Sequence, residues 1–241
     1  MRRLAEYLRS RSPEERRRLV LLGVSTALFV FAAIVGTQPW WTGGFTWWQQ
    51  RQLEGQLESV PSRAPVASAT IEATRPPSAW DGWAHEDIPY WRRLADGKTF
   101  ARLRIPKMGL NVLVVKGTSK ADLEKGPGWL TGTDLPGPKG NTVISGHRTT
   151  FLAPFRHLDR LKPGDVIRLE SPYREYRYRV VRAIIVRPSD KVVTRITRQP
   201  TLTLSACHPP YSARFRLIVQ ATLTRMTRRE AENPVRRPPR D

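Results

Sequence analysis

Cys207 is the only cysteine in the 241-residue chain, so no intramolecular disulfide and no thiolate metal cluster can form. A lone cysteine is ordinarily a small buried hydrophobe. A thiol that does chemistry needs more: a cation or histidine that favours the thiolate, and donors for the oxyanion of an acyl intermediate. Cys207 ends a strand-like run at residues 201–207, and Arg214 and Arg216 open the next one. If the two runs pair antiparallel across His208-Pro-Pro-Tyr-Ser-Ala213, a cation lies beside the thiol. Both arginines share one face, so alternation alone does not separate them. Position along the strand favours Arg216, which directly precedes the apolar Leu217-Ile-Val219 and belongs to the ordered ladder, whereas Arg214 sits nearer the loop.

Four histidines are candidates for the proton donor: His85, His147, His157 and His208. His208 adjoins Cys207 and points to the opposite face if the strand continues. His85 lies in a spacer-like stretch and His157 in a short polar helix, where a surface role is expected. His147 ends the strand-like Ile144-Ser-Gly-His147, where Gly146 permits a sharp turn and catalytic groups often sit.

The elements that must hold these groups are short and mostly extended. Strand patterns cover residues 100–105, 142–145, 165–169, 176–180, 182–186, 201–207 and 215–222, with turns at Gly137-Pro-Lys-Gly140 and Lys162-Pro-Gly-Asp165. Only residues 120–124 and 155–161 read as helical. The fold class expected is all-β, a sandwich or small closed barrel.

Residues 19–35 form a charge-free apolar run between Arg16-Arg17-Arg18 and the Trp40-Trp41 pair. Arginines on the cytoplasmic side and tryptophans at the exit read as one transmembrane helix with the N-terminus inside. The expected organisation is a basic cytoplasmic segment 1–18, an anchor 19–36, an extracellular spacer 37–98, a β domain 99–224 and a basic, disordered tail 225–241. The spacer's Trp80, Trp83, Tyr90 and Trp91 are expected to dock on the following domain. A net charge of +20 implies a nearby polyanion. Nucleic acid is disfavoured, since neither zinc-finger spacing nor an RNA-binding aromatic signature occurs. No calcium-loop spacing or other metal or cofactor site is expected.

Thr142-Val-Ile-Ser-Gly-His-Arg-Thr149 resembles the histidine motif of sortases, Thr203-Leu-Ser-Ala-Cys207 their T-L-x-T-C strand, and Arg216-Leu-Ile-Val219 their arginine strand. Cys207-His-Pro, Gly126-Pro-Gly128 and Leu135-Pro-Gly137 look most like class E sortases. The resemblance covers residues 100–222. It implies an eight-stranded β-barrel that cleaves a Leu-(Pro or Ala)-x-Thr-Gly sorting signal between Thr and Gly. Cys207 would be the nucleophile, His147 the proton donor and Arg216 the oxyanion partner. The implied partners are secreted proteins bearing the signal and a peptidoglycan precursor amine. Two departures stand at expected substrate-binding positions: Ala206 replaces the usual Thr before Cys, and Trp129-Leu130 replace His-Tyr in a loop expected to face the signal.

An L,D-transpeptidase is similar in chemistry, but its Ser-x-Gly-Cys pattern fits Ser205-Ala-Cys-His208 less well. A pilus-polymerising sortase would carry an Asp-Pro-aromatic lid, which this sequence lacks. A non-enzymatic domain gripping anionic wall polymer through its arginines is the remaining alternative. The topology makes a direct prediction: protease added to intact spheroplasts removes the β domain and leaves a membrane-bound stub. Full protection of the domain would overturn the assigned orientation.

Overall fold

A computed structural model describes residues 12–60 and 82–229. The chain divides into two compact units, one ending at Thr42 and one beginning at Gly43. Helix α1, Pro13–Glu58, contains a 22-residue stretch, Pro13–Ile34, with a mean hydropathy of 1.8 and exposed apolar side chains. By length and composition it can cross a membrane.

The second unit is a closed barrel of eight strands: β1 Thr99–Ile105, β2 Leu110–Lys116, β3 Gly128–Trp129, β4 Asn141–Ser145, β5 Val166–Glu170, β6 Arg174–Val186, β7 Thr201–His208 and β8 Phe215–Arg228. The order around the barrel is β1-β2-β3-β4-β7-β8-β6-β5, and β5 closes onto β1. Closure removes most of the free edge that an open sheet would present. Alternate residues fill the interior, among them Leu103, Ile144, Ile167, Tyr176, Leu204 and Val219. The two runs expected at 176–180 and 182–186 are one strand, carried through by a register shift between Val180 and Arg182. β2 and β3 have no counterpart in the sequence expectations. β2 follows a one-turn 3-10 helix, Pro106–Met108, and Gly109 in the left-handed region (φ 62°) that turns the chain back on β1. β3 is two residues long, and a side chain at Gly128 would collide with the carbonyl oxygen of Gly117, just past the end of β2.

The spacer expected over 37–98 is partly structural. Beyond Gly44, α1 continues as a run of good helix formers, and Leu53 and Leu57, one turn apart, pack on Leu113 and Val115. Gln50 supplies what a neighbouring strand would: its Oε1 accepts from the Leu113 amide at 2.7 Å, and its Nε2 donates to the Leu113 carbonyl at 3.0 Å. Helix α2, Trp83–Arg93, docks as expected of its aromatics; Trp91 stacks on Phe100 at 5.3 Å and donates Nε1–H to the Phe100 carbonyl at 2.9 Å. Trp80 lies outside the described residues. Asp87 of α2 is fully buried against Arg174 and Ser171. Burial pushes its carboxyl above the usual range, while Ser171 and Arg174 pull it back. The segment assigned to the tail begins later than expected, because β8 pairs with β6 as far as Arg228 and uses four residues beyond 224. Residues 230–241 lie outside the described ones.

Trp91 is 1 % exposed, and replacing it with alanine removes an indole from the core and a hydrogen bond from β1. Trp91→Ala is expected to cost about 3–5 kcal/mol in urea unfolding of the barrel unit. A loss below about 1 kcal/mol would mean that α2 is not part of the cooperative fold.

Candidate active site

Three strands side by side build the site. β4 and β7 run parallel in unbroken register, from Asn141 opposite Thr201 to Ser145 opposite Ser205. One further bond, from the Gly146 amide to the Ser205 carbonyl at 3.0 Å, carries the pairing past the end of β4. Continued by two residues, the same register brings His147 beside Cys207. On the other side of β7, the antiparallel β8 sets Arg216 directly opposite Cys207. Neighbouring strands lie about 4.8 Å apart, so the three groups form one row across the sheet.

Alternation puts this row on the outside of the barrel. Leu202, Leu204 and Ala206 of β7, and Leu217 and Val219 of β8, join the core cluster, so Cys207 and Arg216 face away from it. They line a cleft of about 250 Å³ with His147, Ser145 and Ser205. Thr118 and Leu123 wall its far side. These two were not singled out in the sequence, although Ser119 and Asp122 form a capping box that starts helix α3, Lys120–Lys125, beside them.

His147 is half-buried, and its Nε2 is inaccessible and without a hydrogen-bond partner. Burial lowers its proton affinity below the ordinary histidine value, and Glu124 offsets this in part. Its ring leans on Phe151 at 5.2 Å, and Phe151, Leu152 and Ala153 all have positive φ (50°, 60° and 43°). Three successive non-glycine residues in that region are strained, at about 1–2 kcal/mol each. Gly146 is needed for a reason other than turn geometry: it has no positive φ, but an added Cβ would lie 2.8 Å from the Phe155 ring. Arg216 donates Nη1–H to the Ala213 and Phe215 carbonyls at 3.0 and 3.1 Å, which holds the guanidinium at the mouth of the cleft. Arg214 is exposed, lies before β8 begins and has its guanidinium 5.3 Å from the Phe215 ring centre.

The other expected residues fall elsewhere. Ala206 borders the cleft, but its side chain belongs to the core face of β7. Trp129 is not in a loop facing the cleft: it forms β3 with Gly128, is 7 % exposed and stacks on Phe100 at 4.9 Å. Pairing with Ile144 of β4 draws it into the sheet. Leu130 follows β3, is tied through its amide to the Val143 carbonyl at 2.9 Å, and does not line the cleft. His208 continues β7 and points away from the thiol face, as alternation demands. Among the described residues, no group of three or more His, Cys, Asp or Glu side chains converges in a way that could hold a metal ion.

A thiol, an imidazole and a guanidinium in one half-open row suit nucleophilic attack, proton transfer and anion stabilisation on an acyl group. Comparison with known proteins agrees. Residues 103–224 match the family model described as the Sortase domain. Sortase D of Bacillus subtilis is 36 % identical over 114 residues, which span 47 % of this chain and 56 % of that protein. Sortase SrtE1 of Streptomyces coelicolor is 31 % identical over 142 residues, 51 % of this chain and 40 % of that one. The chain therefore spans about half the length of these relatives. A Sortase D5 transpeptidase from Clostridium perfringens superposes with a TM-score of 0.53 at 27 % identity, covering 59 % of this chain and 89 % of that structure. Since one family's model accounts for half of the chain and its barrel, the chain belongs to the sortase family.

Proposed function

We propose that this protein is a membrane-anchored cysteine transpeptidase. It cleaves a Leu-(Pro or Ala)-x-Thr-Gly sorting signal between Thr and Gly and transfers the protein to a cell-wall amine. The observation that carries the reading is the register of β4, β7 and β8, which sets His147, Cys207 and Arg216 in one row along a cleft. The Cys207 thiolate attacks the threonine carbonyl carbon, and the carbonyl oxygen takes up the negative charge beside Arg216. Protonated His147 gives its proton to the glycine nitrogen as the C–N bond breaks, leaving a thioester and a free amine. Burial makes His147 a stronger acid toward that leaving group. An incoming amine then attacks the thioester, loses a proton to His147 and expels the thiolate, so the enzyme returns to its starting charge.

The charge-free residues 19–34 of α1, with Arg16-Arg17-Arg18 before them, support a single-pass anchor with the catalytic barrel on the extracellular face. Signal-bearing secreted proteins and a peptidoglycan precursor amine are the partners this reading assigns. Cys207-His-Pro favours class E and a housekeeping role, whereas the higher identity to Sortase D favours a class D relationship. A panel of signal peptides with Pro or Ala in the second position, offered with an amine acceptor, fixes the signal that the barrel takes.

Cys207→Ala is expected to abolish cleavage and transfer with an unchanged melting temperature, because no comparable nucleophile lines the cleft. Retained turnover in that variant would sink the enzymatic reading. Among the arginines, Arg216→Ala is expected to lower kcat about 100- to 1,000-fold, the usual loss for an oxyanion donor, and Arg214→Ala only a few-fold. A larger loss for Arg214→Ala would show that the catalytic cation comes from the loop and not from the strand.

A further inference from the structure

Backbone pairing between β4 and β7 ends at Ser145 and Ser205, with one last bond from the Gly146 amide. His147 and Cys207 lie beyond that point, where no ladder holds them side by side. One residue further, the side chains resume the pairing: Arg148 Nη1 meets His208 Nδ1 at 2.7 Å. The sequence offset between these two residues is the same as that between every rung of the β4–β7 ladder. A guanidinium can only donate, so Nδ1 accepts and the imidazole proton sits on Nε2.

From this geometry we infer that Arg148 and His208 are positioning residues. Their bond is a side-chain rung that holds the register of the His147 and Cys207 pair from the opposite face of the sheet. The inference rests on His147 and Cys207 as the reacting pair. Arg148 is built into the barrel end and is only 4 % exposed. Its Nη2 meets Asp159 at 3.0 Å and its Nε reaches the Arg156 carbonyl at 3.4 Å. Both partners belong to the segment whose Phe155, Leu158 and Leu161 plug the core. The guanidinium therefore has a fixed base, and His208 is drawn to it, carrying the end of β7 along. The contribution of the Asp159 pair is small, since that carboxylate is more than half exposed. Neither Arg148 nor His208 lines the cleft, so losing the rung changes where the thiol and imidazole stand without removing a substrate contact.

The test uses the full-length protein in detergent, with a signal peptide and an amine acceptor, at a temperature where every variant is folded. Asparagine places its Oδ1 where the histidine Nδ1 stood, and leucine offers no acceptor. His208→Leu and Arg148→Met are each expected to lower kcat about 10- to 100-fold with KM little changed, the effect of a displacement near 1 Å. His208→Asn is expected to recover most of that loss. The double variant is expected to be no worse than either single one, because both remove the same bond. Wild-type kcat in His208→Leu, equal loss in His208→Asn and His208→Leu, or additive losses in the double variant would each overturn the rung. Should Arg148→Met not fold, the His208 pair of variants decides alone. Cys207→Ala in the same assay separates the two levels: its turnover reports on the catalytic reading, and the His208 series on the rung.

Discussion

The parallel pairing of β4 with β7 is the constraint on which the site depends. A parallel ladder fixes which residues stand beside one another, and period-two alternation then fixes which face they share. A slip of one residue would turn Cys207 into the core and place Ala206 on the cleft. The slip is opposed by the apolar residues themselves, since Leu202, Leu204 and Ala206 would have to leave the interior. A buried polar contact adds a second check: Thr203 donates its hydroxyl to Asn141 Oδ1 at 2.7 Å across the two strands. With that partner moved, Asn141 Oδ1 would be buried without its bond, at a cost of about 1–3 kcal/mol, and Thr203 would keep only the 3.5 Å contact from Gln220 Nε2. Hydrophobic burial and polar satisfaction therefore select the same register, and the row of His147, Cys207 and Arg216 follows from it.

The barrel is braced by chain that precedes it. Asp87 of α2 reaches Arg174 at the start of β6, and Glu86 bridges Arg174 at 2.8 Å and Arg228 at 2.5 Å. Arg174 is completely buried, so losing both carboxylates would strand its charge, at about 3–5 kcal/mol. Arg174 and Arg228 face each other across β6 and β8, an arrangement that repels without the carboxylates of α2 between them. The helix is thus an electrostatic requirement of the long β6–β8 pair as well as a lid on the core. That pair delivers Arg216, since its last rung joins Val186 to Arg216.

How much of this was legible in the sequence depended on the range of the interaction. β7 and the apolar first half of β8 announced themselves through local alternation, and with them the identity of Cys207 and the face of Arg216. β2 escaped notice because Leu110–Lys116 is nearly uniformly apolar after its first two residues and lacks the alternation that marked other strands, although Gly109 and Gly117 bound it. β3 is too short for any period. The reach of α1 to Glu58 depends on a partner far along the chain, Leu113 for Gln50, and although the aromatics of α2 signal that it docks, its Asp87–Arg174 pair is equally distant and no local pattern reveals it. Trp129 misled for the same reason: beside Gly126-Pro-Gly128 it looks like a loop residue, and only pairing with β4 makes it core. Arg148 carried no signal of its own, because its role depends on the β4–β7 offset.

The two faces of this sheet end differ in how completely their polar groups are satisfied. On the core side, Arg148 has His208, Asp159 and the Arg156 carbonyl as partners. On the cleft side, His147 Nε2 has none, and the chain that follows it passes through three strained residues. A buried nitrogen without a bond is costly, and folding alone would favour a partner for it. That cost is offset by packing, since the ring rests on Phe151. Polar satisfaction on the core face thus coexists with an incomplete network on the cleft face, and the imbalance centres on the imidazole to which the proposed mechanism assigns the proton.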